Sequence, residues 1–348
     1  MTTPTYPLYQ WHDAPPAPNL AHMHMGLWFE RYFNGYEPNF TEVSQEGKSA
    51  WLRGFTTNAL GRSGELKTKA ERIRQLATSQ GGQTRIYQST SPFVTGLGNP
   101  HPQENGFTWH PTLGLPYLPG SAVKGLVRAV VETAWQGEDK AGVLQRWFGT
   151  EAKGDVPEHS GCFIFLDALP TAPCALVPEV MTPHMGKWYE KGGKTPPDKT
   201  NLPGDWHSPV PVGYLTARKL QLQFAILPRA NLATAQQDID GVWQALDYGL
   251  QWLGAGAKTA QGFGLMESEQ SRQSKAEEKW EGARPKFSSA NGSLTVEKSG
   301  KTAIALAPAG AALLQSLSAD MQQKIKSNQF VKITAYVASG VLLRVEKA

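Results

Sequence analysis

The stretch GLPYLPGSAVKGLVR, residues 114–128, constrains the fold more than any other part of the chain. Pro116 and Pro119 hold its first half extended, because each ring fixes its own φ and disfavours helix at the preceding residue. Gly120 then provides a bend, and Ser121 is the expected N-cap of the helix that follows. Apolar residues recur at helical spacing beyond this point, which predicts one buried helix face made of Val123, Leu126, Val127, Val130 and Ala134.

A second, narrower stripe of the same helix combines a hydroxyl, two cations and a glycine: Ser121, Lys124, Gly125 and Arg128. Helix N-termini attract anions, and a glycine lets an oxyanion come close to the backbone. No acidic residue occurs between Glu104 and Glu132, whereas a face that only keeps a protein soluble normally mixes its charges. The stripe therefore predicts a phosphate-binding site. The alternative interpretation is an amphipathic helix with a solvated basic edge.

Composition narrows the classes of protein to which the chain can belong. Its 348 residues are 40% hydrophobic, enough for one large core or two modest ones. The chain has no apolar run of membrane-spanning length and does not begin like a signal peptide, which predicts a cytoplasmic protein. Two cysteines, Cys162 and Cys174, are too few for a disulfide framework or a four-thiolate zinc site. We expect no metal and no cofactor.

The formal net charge of +4 is unevenly distributed along the chain. Residues 287–348 carry seven Lys or Arg against three acidic residues, whereas the first 286 residues balance. A nucleic-acid-binding role for the main body must therefore rest on local groups of cations rather than on bulk charge.

Periodicity and turn signals predict a mixed α+β chain with several segments. The predicted helices cover 21–36, 65–80, 121–136, 141–148 and 232–253, and the predicted strands of the main body cover 84–95, 162–169 and 212–227. The predicted segments are an N-terminal arm with a helical extension (1–83), a core (84–268), a charged linker (269–286) and a small basic β-rich unit (287–348). Within that last unit, a helix over 309–326 is expected between two pairs of strands.

A second glycine-rich stretch, LGAGAKTAQGFGLME over 253–267, surrounds Lys258 and Thr259 with glycines that include Gly254 and Gly256. A Walker loop needs a glycine directly before its lysine, and none stands there, so ATP hydrolysis is not expected. Backbone amides grouped around a lysine form an anion-binding concavity. The stretch therefore predicts a second phosphate cradle.

The long excursion over 170–211 mixes aromatic rings with cations, including Lys187, Trp188, Tyr189 and Trp206. Every base offers a π-face and every nucleotide a phosphate, so interleaved rings and cations are typical of single-stranded nucleic-acid binding. The alternative is a mobile polar loop whose aromatic residues hold it in place.

Three stretches together resemble the RAMP superfamily of CRISPR effector subunits: TGLGNPHPQENGFTWHPTLGLPYLPGSAVKGLVR, VMTPHMGKWYEK with DWHSPVPVGYLT, and GAGAKTAQGFG. The resemblance covers residues 20–268 and implies a ferredoxin-like, RRM-type core, in line with the predicted order strand, helix, strand, strand, helix, strand. It also implies an RNA-binding structural subunit of a type III-B (Cmr) ribonucleoprotein that serves antiviral defence. The implied ligands are guide crRNA and target RNA. The implied protein partners are other Cmr-type subunits, especially the filament-forming RAMP nuclease subunit.

The resemblance also assigns roles to individual positions. Residues 180–210 match the family's thumb, which inserts between guide and target and displaces a base. The implied contacts to guide phosphates near the 3′ end are Ser121, Lys124 and Arg128, with a second backbone cradle at Gly254, Gly256, Lys258 and Thr259.

Two other functions stay open at this point. Some relatives cut RNA, and a ribonuclease here would use groups of the thumb: His184, Asp198, Asp205 and His207, with Lys187 to stabilise the developing charge. A loop anchored by its Asp and His residues explains the same pattern more simply. The remaining hypothesis is a protein–protein scaffold without RNA contact, since 11 Trp suit large interfaces.

Overall fold

The computed structural model describes residues 23–37, 40–135, 137, 139–150, 158–191, 202–204, 206–229, 233–269, 271–272, 278–289, 291–338 and 340–347. The predicted arm over 1–20 lies outside this part of the chain. The protein divides into two compact units, Met1–Ser268 and Glu269–Ala348. Of the helices that the structure describes, none combines the length and the apolar character that crossing a bilayer requires.

The first unit alternates helices and strands. Its helices are α1 (Met25–Arg31), α2 (Gln45–Gly54), α3 (Ser63–Ser79), α4 (Gly120–Ala134), α5 (Lys140–Phe148), α6 (Gly186–Lys191) and α7 (Ala233–Tyr248). Its strands are β1 (Thr57–Leu60), β2 (Gln83–Ser89), β3 (Gly149–Thr150), β4 (His159–Ser160), β5 (Phe163–Phe165), β6 (Leu169–Pro170), β7 (Cys174–Met181), β8 (Val212–Arg218), β9 (Gln221–Pro228) and β10 (Met266–Ser268). A π-helical turn, Gly249–Leu253, continues α7.

Antiparallel strands form the central sheet of this unit in the order β10–β2–β9–β5. The helices α4 and α7 contact each other and this sheet. Their inward faces carry large apolar side chains at helical spacing, which explains why these segments are helices: Val123, Val127, Val130, Trp243 and Leu246 are buried. The sheet therefore holds α4 by its apolar face and leaves the Ser121 and Gly125 positions exposed.

The predicted single strand over 212–227 is wrong. Lys219 adopts a left-handed conformation with φ of 54° and separates β8 from β9. The two strands then enter different sheets, because β8 pairs with β7 in a three-stranded sheet of order β1–β7–β8. The excursion predicted over 170–211 consequently begins with strand β7 rather than with a loop.

Aromatic packing fixes the N-terminal helices of the first unit. The ring of His101 stacks on Phe29, with their centroids 4.1 Å apart, and its Nε2 donates to the Phe29 carbonyl. His24 caps α1 by accepting a hydrogen bond from the Leu27 amide at 2.9 Å. Both histidines thus serve packing and capping, and the helix predicted over 21–36 ends earlier, at Arg31.

The second unit is a closed five-stranded barrel with two short helices. Its strands are β11 (Glu278–Ser288), β12 (Ser293–Lys298), β13 (Lys301–Ala305), β14 (Ile333–Ala338) and β15 (Val341–Lys347), and its helices are α8 (Ala309–Gln315) and α9 (Ala319–Lys326). The strand order around the barrel is β11–β12–β13–β15–β14. The helix predicted over 309–326 is therefore two helices, with Leu317 buried between them.

The predicted linker over 269–286 is wrong for its second half, because residues 278–286 belong to β11. Trp280, Ala283 and Pro285 face the barrel interior, while the charged residues beside them face outward. The charges that suggested a linker are thus the solvent face of a half-buried strand.

Candidate nucleic-acid interface

The helix α4 starts at Gly120, one residue earlier than predicted. Pro119, and not the expected Ser121, occupies the N-cap position, and Ser121 lies in the first turn of the helix. The Gly120 amide instead donates to Oδ1 of Asp167 at 2.7 Å. A Cβ at Gly120 would lie 2.2 Å from the carbonyl oxygen of Phe165, so this close approach to β5 explains the glycine.

Residues 105–131 contain no acidic residue, but the fold brings a carboxylate from outside this segment next to it. Asp167 follows β5 and brings a carboxylate to the N-terminus of α4, where the helix dipole stabilises a negative charge. An anion that binds this helix cannot use the Gly120 amide. The predicted phosphate site must therefore depend on the exposed side of α4 beyond its first residue.

The two cations of the α4 stripe line a cleft of about 1150 Å³. Nζ of Lys124 donates to the Phe148 carbonyl at 3.2 Å, at the C-terminal end of α5. Nε of Arg128 donates to Oε1 of Glu132 at 2.8 Å. Each cation keeps further N–H donors, since an ammonium has three and a guanidinium five. The wall of the same cleft also includes Arg229, His159 and one carboxylate, Glu158.

Gly125 is exposed, and a Cβ built on it would meet nothing within 4 Å. Within the part of the chain that the structure describes, neither packing nor backbone conformation requires a glycine at that position. Glycine in an exposed helix interior costs about 1 kcal/mol relative to alanine. The open space over Gly125 favours an external partner that comes close to the α4 backbone.

The second glycine-rich stretch is shaped by its own packing. Gly254 and Gly256 have φ of 78° and 94°, and a Cβ on either would lie within 2.4 Å of a backbone oxygen, of Phe263 and Val94 respectively. The Gly254 amide donates to the carbonyl of Gly249, at 2.9 Å. That amide already has an acceptor, so the predicted anion cradle in this loop would depend on its other groups, including Lys258 and Thr259.

Lys258 supplies the charge of this loop. It has a left-handed backbone with φ of 60°, and its Nζ lies 5.2 Å from the ring centroid of Tyr214 and 3.4 Å from Oε1 of Gln261. Thr259 begins a 3-10 turn directly after it. The Tyr214 ring holds the half-buried Lys258 side chain beside the loop, and the Lys258 ammonium is able to contact an anion there.

The structure brings the two glycine-bearing segments together. Pro119, Ala122 and Leu126 of α4 line one cleft of about 600 Å³ with residues 253–257 and Thr259. At 100° per residue, Ser121 and Gly125 lie on α4 between this cleft and the one that holds Lys124 and Arg128. We call the exposed strip of Ser121 and Gly125 the α4 ridge. The ridge thus separates a basic cleft from the cleft beneath the glycine loop.

The described part of the predicted thumb exposes aromatic rings. Tyr189 on α6 is 74% exposed and Trp206 is 54% exposed, while Trp188 is half-buried. His207 Nε2 lies 2.8 Å from the Leu202 carbonyl oxygen. His184 is exposed. Asp198, Asp205 and the side chain of Lys187 fall outside the described residues.

One exposed ring escaped the sequence analysis. Trp252, in the π-helical turn that precedes Gly254, is 65% exposed, and its neighbour Leu253 is 36% exposed. Helical periodicity places Leu253 on the core face, but the wider π turn changes the register of these residues. The sequence did contain a signal, because Trp252 fits no apolar face of the helix predicted over 232–253.

Comparison with known proteins identifies the family. The model of the RAMP superfamily matches residues 87–267, more than half of the chain. The chain belongs to the RAMP superfamily. This confirms the resemblance that the three quoted stretches carry. The match begins within β2 and includes α4, α7 and the glycine loop, and thus the whole candidate interface of this RAMP protein.

Two curated relatives share a description. The CRISPR system Cmr subunit Cmr6 of Pyrococcus furiosus is 27% identical over 239 residues, which cover 53% of this chain and 67% of the relative. The Cmr6 subunit of Saccharolobus solfataricus is 33% identical over 101 residues, 28% of this chain and 32% of the relative. This RAMP protein is therefore similar to the sixth subunit of the Cmr system.

Solved structures of similar proteins include a type III-B Cmr-beta complex bound to cognate target RNA, studied by cryo-EM. The match covers 74% of one chain of that complex and 65% of this RAMP protein, at 20% identity and a TM-score of 0.48. The crystal structure of Cmr6 from Pyrococcus furiosus matches over 97% of its length and 54% of this chain, at 25% identity and a TM-score of 0.30.

Proposed function

We propose that this RAMP protein is an RNA-binding structural subunit of a CRISPR type III-B (Cmr) effector complex. It holds the backbone of the guide crRNA near its 3′ end and helps to capture complementary target RNA. Membership of the superfamily and the two Cmr6 relatives support this assignment. The single observation that carries the RNA role is the exposed α4 ridge between two clefts, one lined by cations and one by the glycine loop.

The proposed core is ferredoxin-like. In chain order its main elements are β2, α4, β5, β9, α7 and β10, and the strands lie side by side as fourth, first, third and second. An antiparallel sheet with this order is what two interlocked βαβ units produce. The proposal for the core thus rests on strand order as well as on sequence.

A sugar–phosphate strand would cross the α4 ridge. Gly125 lets the strand approach the helix backbone, Lys124 and Arg128 contact phosphates from one cleft, and Lys258 with Thr259 contacts them from the other. These contacts involve phosphates rather than bases, so binding should depend little on sequence and strongly on salt.

The aromatic rings have a separate role in this proposal. Tyr189 and Trp206 of the thumb, together with Trp252, are exposed and offer stacking platforms for bases. The thumb would enter between guide and target, with Trp188 and Lys187 at its base. The filament-forming nuclease subunit and other Cmr-type subunits are the proposed neighbours in the complex.

The test is the double variant Lys124→Ala/Lys258→Ala, measured for retention of guide RNA in the copurified complex. Losing two phosphate contacts should weaken binding and reduce the slope of log K against log salt by about 1.4. The matched control, Arg53→Ala/Lys67→Ala, removes two exposed cations on α2 and α3 and should bind like wild type. If the test variant keeps wild-type affinity and salt slope, the proposed phosphate contacts are wrong.

The alternative function is a ribonuclease that uses His184, Asp205 and His207. The contact of His207 with the Leu202 carbonyl fits an anchored loop and does not favour catalysis. Incubating the purified protein with labelled RNA, with and without a divalent metal, separates the two functions. If the protein cleaves RNA and His207→Ala abolishes the cleavage, a purely structural role is wrong.

A further inference from the structure

The barrel of the second unit has a recognisable topology. Its five strands close in the order first, second, third, fifth, fourth, and the third and fifth strands pair in parallel through Ile304 and Val341. The helices α8 and α9 connect the third strand to the fourth. This arrangement is that of the five-stranded Greek-key barrel known as the OB fold, which often binds oligonucleotides or oligosaccharides. Topology alone does not assign a function, so the site must be argued from side chains.

An exposed aromatic ring lies three residues before β14. Phe330 is 66% exposed, with the guanidinium carbon of Arg284 4.6 Å from its ring centroid and Nζ of Lys332 5.9 Å from it. The register of β11 and β14, in which Ala283 pairs with Ile333, places Arg284 next to Lys332 on the outer face. The ring and both cations therefore form one group on the barrel surface.

Several cations of this unit are paired with carboxylates. Lys279, Lys301, Lys324 and Arg344 each form an ion pair with a carboxylate. Among the residues that the structure describes, no carboxylate forms an ion pair with Arg284 or Lys332. Residues 278–347 contain ten Lys or Arg and five Asp or Glu, so this unit attracts anions as a whole.

A second ring lies on the same outer face. Tyr336 alternates with the inward-facing Ala335 and Val337, and the guanidinium carbon of Arg344 lies 3.9 Å from its ring centroid. Phe330 and Tyr336 are six positions apart in the chain, a span of at most roughly 20 Å. The ring and cations before β14 are thus followed by a second ring on β14 and a cation on β15.

We propose that the outer face formed by Arg284, Phe330, Lys332 and Tyr336 binds single-stranded nucleic acid. A base stacks on Phe330, and Arg284 and Lys332 contact the phosphates on either side of it. This site lies in the second unit and is additional to the α4 ridge. An acidic polypeptide would satisfy the cations but would leave the exposed Phe330 ring without a stacking partner, so nucleic acid fits the face better.

The site differs from the usual binding face of such barrels. That face is built on the second and third strands, here β12 and β13, and neither contains an aromatic residue. The proposal therefore depends on the observed rings and cations of β11, β14 and the segment that leads into β14, and not on analogy of fold.

The first experiment measures binding of fluorescein-labelled oligo(U) RNA and oligo(dT) DNA to the full chain by anisotropy. The background is Lys124→Ala/Lys258→Ala, so that the α4 ridge contributes little. Phe330→Ala should weaken binding about 10-fold, as expected for one lost stacking contact, whereas Phe330→Trp should retain it. Arg284→Gln/Lys332→Gln should weaken binding and reduce the salt slope by about 1.4.

The control Lys301→Gln/Lys324→Gln removes the same charge from two ion-paired lysines and should bind like its background. Similar losses for RNA and DNA support a site that reads phosphates and base faces. If the Phe330→Ala protein binds like its background while cation removal weakens binding, the face is a general polyanion or acidic-protein surface and the proposal is wrong.

A second measurement locates the contact directly on the wild-type chain. Photocrosslinking to 4-thiouridine RNA followed by tryptic digestion should mark the peptide 327–332, which contains Phe330. Crosslinks confined to residues 1–268 would overturn the second site while leaving the α4 ridge proposal intact.

Discussion

Oδ1 of Asp167 accepts a hydrogen bond of 2.7 Å from the amide of Gly120, so a carboxylate binds the first amide of α4. The two residues are far apart in sequence, and the contact depends on β5 lying against the start of the helix. It both stabilises the helix N-terminus and excludes a phosphate from that amide.

Substitution of Asp167 should separate these two effects. Asp167→Ala removes the acceptor and should lower the free energy of unfolding by about 1 kcal/mol, as for a lost helix cap. Asp167→Asn keeps an acceptor, removes the charge, and should strengthen RNA binding modestly with a smaller loss of stability. Urea denaturation and RNA anisotropy measure the two quantities. Weaker RNA binding by the Asn variant would contradict a phosphate path along α4.

Gly125→Ala should have opposite effects on folding and binding. An alanine stabilises an exposed helix by up to about 1 kcal/mol, and nothing within 4 Å opposes its Cβ. The added methyl group lies where the RNA backbone is proposed to pass, so RNA binding should weaken several-fold. Thermal unfolding and RNA anisotropy provide the comparison.

Gly64→Ala is the matched control for this substitution, since Gly64 lies in α3 and its Cβ would also meet nothing within 4 Å. It should not change RNA affinity. If Gly125→Ala also binds RNA like wild type, the α4 ridge does not contact the RNA backbone.

The buried ring of His101 should make folding stability depend on pH. Its Nδ1 accepts the Gln103 amide and its Nε2 donates to the Phe29 carbonyl, so the folded protein holds the neutral ring. Burial lowers the pKa of His101 below its ordinary value. The unfolded chain then binds more protons than the folded one below pH of about 6.5, and stability should fall there until the folded pKa is reached.

Urea denaturation of wild type and His101→Asn measures this effect. The measurements cover pH of about 5 to 8, because an ordinary histidine titrates in that range. The variant should be less stable at neutral pH and should show a flatter profile. His159→Asn, at an exposed position of β4, serves as the control. Parallel profiles for wild type and His101→Asn would contradict the assigned neutral ring.

Trp252→Ala should affect RNA binding but not folding. The side chain is 65% exposed, so the free energy of unfolding should change by no more than about 0.5 kcal/mol. Loss of one stacking platform should weaken RNA binding by about 1–3 kcal/mol. The fully buried Trp243 provides the contrast, because Trp243→Ala should cost about 3–5 kcal/mol of stability. Unchanged RNA affinity of Trp252→Ala would exclude this ring from the interface.

Patterns within one helix or strand were readable from the sequence. The apolar spacing that begins at Val123 predicted α4 and its buried face, and the spacing after Leu66 predicted α3. The glycine loop after α7 was also located correctly. These predictions succeeded because helix and strand periodicity depend on neighbouring residues alone.

The sequence by itself determined strongly periodic elements such as α3 and α4, and which stretches carry cations, rings and glycines. Tertiary structure decided what those residues do. Gly125 and Gly254 look alike in the sequence, yet a Cβ on Gly254 would lie 2.3 Å from a backbone oxygen, whereas a Cβ on Gly125 would meet none of the described residues within 4 Å. Asp167 reaches the start of α4, and Lys219 directs β8 and β9 into different sheets, only through pairings between distant segments. Contacts between residues far apart in the chain leave no periodic signal, so only the folded protein reveals them.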